Sequence, residues 1–231
     1  MYKYFLIFFI SMFLFSCSKE KKNMQVTGNI ANLKEGKLYL QKFKDTLIVN
    51  VDSIILKNSS KFLLEDNVAS PEIYLLSLSG TDKVIQFFGD KGVIDIQTAL
   101  KSFNYGSKIT GSVNQDLLNK FNSNIKKFND LRLDLIKEKF DASIAKNEDL
   151  AQEVANKINN IDKRKLRYAM NFAFSNTDFE VSPYITLAEL YPLNTKFLDT
   201  ILNSLSDKVK KSKYGIQLDV YIKGIKKEEN K

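Results

Sequence analysis

Gln25-Val26-Thr27-Gly28-Asn29-Ile30, the turn at Gly36 and Leu38-Tyr39-Leu40-Gln41-Lys42-Phe43 decide the fold of this chain. Apolar and polar residues alternate in both runs, and a two-residue period turns one face of an extended segment inward and the other outward. Similar runs follow at Leu47 to Leu56, Phe62 to Glu65, Ile73 to Leu78, Val84 to Phe88 and Val93 to Gln97. Each is rich in β-branched and aromatic residues and bounded by Gly, Asn, Asp, Ser or Pro. A spacing of roughly ten residues between runs predicts an antiparallel sandwich or barrel-like sheet over residues 24–111.

At Gly111 the period changes. Ser112-Val113-Asn114-Gln115 has the form of a capping box, with Ser112 accepting from the Gln115 backbone and Gln115 reaching back. Leu117, Leu118, Phe121, Ile125, Phe128, Leu135, Ile136 and Phe140 then share one helical face. A second helix starts near Asn147 and carries Leu150, Val154, Ile158, Ile161 and Leu166 towards Phe174. Ser182-Pro183 predicts a further helix start, with Ser182 as the cap. Pro192 interrupts, Phe197 to Leu205 forms a short helix, and Gly215 to Lys227 a last one. The expected fold class is therefore α+β: an antiparallel β domain followed by a helical region over residues 112–231.

Upstream of the strands, Lys3 supplies a positive start, and Tyr4 to Phe15 is almost wholly apolar. That core is shorter than the roughly 18–20 residues a membrane-spanning helix needs, so residues 1–16 read as a signal peptide. Leu14-Phe15-Ser16-Cys17 resembles the lipobox of bacterial lipoproteins, in which the cysteine is acylated and becomes the first residue. Phe15 departs from the small or β-branched residue usual there. Cys17 is thus the expected lipidation site, and Ser18-Lys19-Glu20-Lys21-Lys22-Asn23 a charged tether within residues 17–23. The expected location is the cell envelope, anchored by lipid in the outer membrane and facing the periplasm, with surface display open. Ser18 is not the aspartate that retains lipoproteins in the inner membrane of enteric bacteria.

Composition narrows the chemistry. The chain of 231 residues contains no histidine, no tryptophan and a single cysteine. Without histidine there is no Ser-His-Asp or Cys-His arrangement, and the commonest general base and metal ligand are missing. With Cys17 acylated, no thiol chemistry or disulfide remains. Neither catalytic nor metal-ligating residues are assigned, and no cofactor is expected. The net charge is +8, but lysines and acids are interleaved along the chain, as on a solvated surface. Nucleic acid is accordingly not an expected partner, whereas an anionic envelope surface is a plausible neighbour.

Taken in order, Val26-Thr27-Gly28-Asn29-Ile30, Gly36-Lys37-Leu38-Tyr39-Leu40, Asp52-Ser53, Lys61-Phe62, Pro71-Glu72-Ile73-Tyr74, Phe87-Phe88-Gly89-Asp90-Lys91-Gly92 and Ile109-Thr110-Gly111-Ser112-Val113-Asn114 carry a family resemblance. They are similar to a domain of unknown function, DUF4369, found at the N-terminus of exported thioredoxin-like proteins of Bacteroidetes. The resemblance covers roughly Met24 to Asn129, and Ser182 to Gly215 is similar to the helical connector that precedes the redox domain in such proteins. It implies a lipoprotein that lacks the thioredoxin domain, since the sequence reaches Lys231 with no Cys-x-x-Cys pair and disulfide exchange needs two neighbouring thiols.

Several local features invite chemistry. Ser123 and Lys126 have the Ser-x-x-Lys spacing of penicillin-recognising enzymes, but lie on a polar helix side without the companion Lys-Thr-Gly. Asp162 to Arg167 is the densest basic run and reads as solvated helix surface, with an anionic polymer as the alternative. Asp90 and Asp95 flank Gly92, where a turn and a strand face account for them and acid–base work is the alternative. Asp52-Ser53 inside an apolar run predicts a bulge or satisfied turn, with a ligand-facing role as the alternative, and Tyr39, Tyr74 and Phe43 are candidates for one sheet face, as core or as a small groove.

The expected function is a lipid-anchored envelope protein whose body is a non-catalytic binding or accessory module, with a separate thioredoxin-like protein as one possible partner. A hydrolase that uses carboxylates on glycan or peptidoglycan is the alternative. It requires two carboxylates converging in a cleft about 5–10 Å apart.

Overall fold

The computed structural model describes residues 22–229. The signal segment, Cys17 and most of the tether lie outside these residues. Eight strands come first: β1 (Met24–Ala31), β2 (Glu35–Lys44), β3 (Leu47–Lys57), β4 (Lys61–Asp66), β5 (Glu72–Leu78), β6 (Val84–Gly89), β7 (Gly92–Ala99) and β8 (Lys108–Thr110). They form two four-stranded sheets, ordered β4-β1-β7-β8 and β3-β2-β5-β6. Six helices follow: α1 (Val113–Ile144), α2 (Glu148–Ser175), α3 (Val181–Glu189), α4 (Thr195–Ser204), α5 (Asp207–Lys210) and α6 (Lys213–Glu229). The fold is α+β.

Each predicted run is a strand, because the period-two apolar residues have a core to face. Met24, Val26, Leu38, Leu40, Leu64, Tyr74, Leu76, Phe87, Ile94 and Ile96 point between the sheets and are fully or almost fully buried. Two features depart from the antiparallel expectation. β1 pairs with β7 in parallel, Met24 opposite Gly92, because the chain crosses the sandwich before returning to the central strand. β8 is an unpredicted strand; three residues with Ile109 alone buried give too short a period to read.

β5 explains how the helices attach. Its residues are buried on both faces: Tyr74, Leu76 and Leu78 enter the sandwich core, while Ile73 and Leu75 join Phe88 in a second core with Leu118, Phe121, Phe172, Val181, Ile185, Leu198, Tyr214 and Leu218. The molecule is therefore three-layered, with two sheets and then helices over β5 and β6. Burying each such aliphatic or aromatic side chain contributes about 1.5–3 kcal/mol.

The turn into the helices is made at Gly111, whose φ is 105° and whose missing Cβ leaves room for the Val93 carbonyl. Only half of the predicted capping box forms. Ser112 Oγ accepts from the Gln115 N–H at 3.3 Å. Gln115 does not reach back: its Oε1 accepts from the Phe88 N–H at 2.7 Å, on the edge of β6 that no strand pairs, and its amide donates to Asn119. A buried strand N–H is the more demanding partner.

Ser182 is not a cap. α3 begins at Val181 with Glu180 in the cap position, and the Ser182 hydroxyl donates to Ala173 O at 2.8 Å, tying α3 to α2. The predicted apolar face of α1 also divides. Leu118, Phe121 and Ile125 are buried, whereas Ile136 and Phe140 are exposed, because beyond Phe128 the long α1 has only α2 to pack on. Among the described residues no helix is long and apolar enough to cross a membrane.

Candidate functional site

Chemistry-bearing side chains gather at one end of the sandwich. Lys42 follows Leu38 and Leu40 on the inward face of β2, and its ammonium donates to Asp66 Oδ2 at 2.6 Å. Tyr74 OH donates to the same oxygen at 2.8 Å. Lys42 also lies 3.9 Å from Glu72 Oε1, and the other Glu72 oxygen receives a short hydrogen bond from Lys213 at the start of α6. Lys213 further donates to Phe43 O at 2.7 Å. The network thus joins β2, β4, β5 and α6.

Burial by itself would raise the Asp66 carboxyl; hydrogen bonds from Lys42, Tyr74 and the Asn67 backbone outweigh it and hold the group below the usual carboxylate range. Tyr74 is pushed far above the ordinary phenol range, first by burial and then by the Asp66 carboxylate it donates to. Outside this network lies a cleft of about 590 Å³ between the β2–β3 hairpin and α6, lined among others by Phe43, Val49, Ser70, Glu72, Lys213 and Ile216.

Two carboxylates, Asp66 and Glu72, do straddle the Lys42 ammonium, and of the two only Glu72 lines this cleft. Asp66 is held ionised and so is unsuited to act as a general acid. The paired arrangement works as a tie between strands and helix. Among the described residues no group of three or more acidic or cysteine side chains is placed to hold a metal ion.

A second feature lies on α1. Leu133, Ile136, Phe140 and Ile144 recur at three- and four-residue spacing, so they form one stripe, and all four are exposed, Phe140 by 65%. A third is a buried carboxylate. Glu180 is wholly inaccessible; its Oε2 accepts from Asn114 Nδ2 at 2.9 Å, and Lys208 lies 3.3 Å from Oε1. Asn114 Oδ1 accepts from the Val181 N–H at 2.8 Å, so one amide clamps α1 to the start of α3.

The residues singled out in the sequence fall apart. Asp90 accepts from the Lys91 N–H and from Ser112, at the β6–β7 turn. Asp95 instead faces outward on β7 with Thr27 and Gln97. Asp52 lies beside a bulge, since Leu40 pairs with Asp52 and Gln41 with Asn50, leaving Val51 over. Its carboxylate accepts from Ser53 N–H at 2.7 Å and Glu65 N–H at 2.8 Å, closing the sandwich edge between β3 and β4.

Ser123 is exposed and Lys126 pairs with Asp130. Asp162 pairs with Arg132 across the α1–α2 hairpin, and Lys163, Arg164 and Arg167 face solvent. Tyr39 and Phe43 share the outer face of β2 with Gln41, whereas Tyr74 points into the core; the three do not line one face. The Lys42–Asp66–Glu72–Lys213 network lies outside the residues that the sequence singles out. Its one sequence signal is Lys42, a charge at an inward position of a period-two strand; nothing local links residue 213 to residue 72.

This is a β-sandwich carrying a helical layer on the outer face of one sheet. The family model described as a domain of unknown function (DUF4369) matches residues 24–118, the sandwich and the first turns of α1. No curated protein and no solved structure matches the chain.

Proposed function

We propose that the chain is a lipid-anchored cell-envelope protein whose body is a binding or accessory module. The observation that carries the binding role is the α1 stripe. Leu133, Ile136, Phe140 and Ile144 stand exposed on a helix that is long enough, at roughly 48 Å, to extend beyond the core it packs on. Aligned apolar anchors at such spacing are the usual means by which a helix meets a protein groove or a second helix. The hydrogen bonds that occupy Asp66 and Glu72 favour a structural use of that end over catalysis.

The anchor is read from Leu14-Phe15-Ser16-Cys17, and the Bacteroidetes envelope, with a separately encoded thioredoxin-like protein as partner, follows from the family resemblance. A clickable fatty acid should label the wild type and not Cys17→Ser; equal labelling would remove the anchor. A photo-crosslinker in place of Phe140 should capture a discrete envelope protein in intact cells, and no adduct there, with none at Leu133, would remove the binding role.

The hydrolase reading keeps one specific support, the Asp66 and Glu72 carboxylates either side of Lys42, with Glu72 lining the cleft. Hydrolysis of peptidoglycan or glycan that is abolished by both Asp66→Asn and Glu72→Gln would favour it over the binding role.

A further inference from the structure

The place where the tether meets the body fixes which surface an anchored molecule turns towards its membrane. Asn23 is held at the head of β1 by reciprocal bonds: its Nδ2 donates to Val68 O at 3.0 Å, and Val68 N–H donates to its Oδ1 at 2.8 Å. Its own N–H donates to Asn67 Oδ1 at 3.1 Å, and its carbonyl accepts from Gly92 N–H at 2.9 Å. The tether therefore leaves the body between the 67–70 loop and the β6–β7 turn. From Asn23 back to Cys17 is six residues, which span at most about 20 Å fully extended.

The same end carries the β2–β3 hairpin tip. Lys42 at the end of β2 bonds Asp66, which pairs with Met24, so the tip at Lys44 to Leu47 projects beside the tether's exit. Leu47 is 69% exposed and Ile48 53%, two large aliphatic side chains side by side at a hairpin turn. Lys44 and Lys211, with the acid Asp45, line the cleft beside it, while Lys91 and Asp90 stand on the β6–β7 turn at the tether's exit; among the described residues Lys44, Lys91 and Lys211 form no ion pair. Exposed aliphatic side chains flanked by lysines match the phospholipid interface, where apolar groups enter and ammonium groups meet anionic headgroups. A protein held within about 20 Å by its lipid also presents this surface at high effective concentration.

We propose that this end of the sandwich docks on the phospholipid bilayer, Leu47 and Ile48 entering the interface and Lys44, Lys91 and Lys211 contacting anionic headgroups. The inference rests on acylation of Cys17 and adds the orientation of the body and the residues that set it.

The absence of tryptophan makes a direct test available. The full lipidated chain carrying Leu47→Trp is reconstituted into phosphatidylethanolamine–phosphatidylglycerol vesicles with and without acyl-chain bromination. Tyr105→Trp serves as the comparison, an exposed site past the far end of β7. Mass spectrometry of the same samples reports Cys17 acylation. The expected result is a blue-shifted emission that brominated lipid quenches for Leu47→Trp, with neither effect for Tyr105→Trp. Adding Lys44→Glu and Lys211→Glu, both surface changes, should reduce the quenching.

An acylated protein whose Leu47→Trp emission is not quenched overturns the docking and leaves the anchor standing. A blue shift without quenching means that a protein covers the tip, a second copy included, and also overturns it. Equal quenching at both sites shows no fixed orientation and does the same. Absence of acylation removes the anchor and this proposal together.

Discussion

Tyr74 donates its phenolic hydrogen to Asp66 at 2.8 Å, and Lys42 donates to the same carboxylate oxygen at 2.6 Å. A phenol and an ammonium converging on one oxygen lock β2, β4 and β5 together where the tether leaves, and the arrangement depends on charge.

Asp66 is held below its ordinary range, so its native state keeps the carboxylate longer than the unfolded chain does as pH falls. Its contribution is present above about pH 4, the unfolded value, and is lost as pH drops through the lower native one. Urea unfolding should find Asp66→Asn less stable than wild type at pH 7, with the gap closing towards pH 3. A gap that does not change with pH would refute the ion-pair account.

The alkaline side has the opposite sign. Tyr74, Tyr184 and Tyr214 are all raised, burial being the first cause in each. Their stabilisation is complete below about pH 10, the unfolded value, and is lost as pH rises beyond it. Absorbance at 295 nm followed together with circular dichroism should show these three tyrosines ionising only as the fold is lost.

Tyr214 also bridges the layers, its hydroxyl accepting from the buried Ile73 N–H at 2.9 Å. Tyr214→Phe keeps the ring contacts with Phe88 and Tyr184 but orphans that N–H. The cost should be about 1–3 kcal/mol, with faster amide exchange at Ile73. Unchanged exchange there would mean that the hydroxyl does not hold the helices to β5.

Asn114→Ala removes a donor from the buried Glu180 and an acceptor from the Val181 N–H, so it should cost about 2–6 kcal/mol, at about 1–3 kcal/mol for each group. Asn114→Asp sets a second carboxylate against Glu180 and should be worse at neutral pH, recovering on acidification. Thermal unfolding at pH 5 and pH 8 separates the two.

α1 should answer unevenly to substitution. Phe121, buried against Tyr168 and Phe172, should cost about 3–5 kcal/mol on truncation to alanine. Phe140→Ser should stay within about 0.5 kcal/mol in the free protein. A large loss at Phe140 would show that the stripe already packs on something in the isolated molecule.

Sequence alone fixed what depends on near neighbours. Period-two runs found β1 to β7, the change of period at Gly111 found the helical half, and Ser112 and Asn147 located helix starts through their own hydrogen bonds. The bulge beside Asp52 was legible because a charge interrupts an apolar run. Tertiary structure decided what depends on distant partners. Gln115 faced a choice between its own cap and the Phe88 N–H, and the buried strand edge won. Whether Phe121 and Phe140, on the same apolar face, are core or surface depended on where β5 and β6 end beneath α1. The meeting of Lys42, Asp66, Glu72 and Lys213 could be found only in three dimensions, since period and propensity act over a few residues and charge pairing acts over ångströms, however far apart in the chain the partners lie.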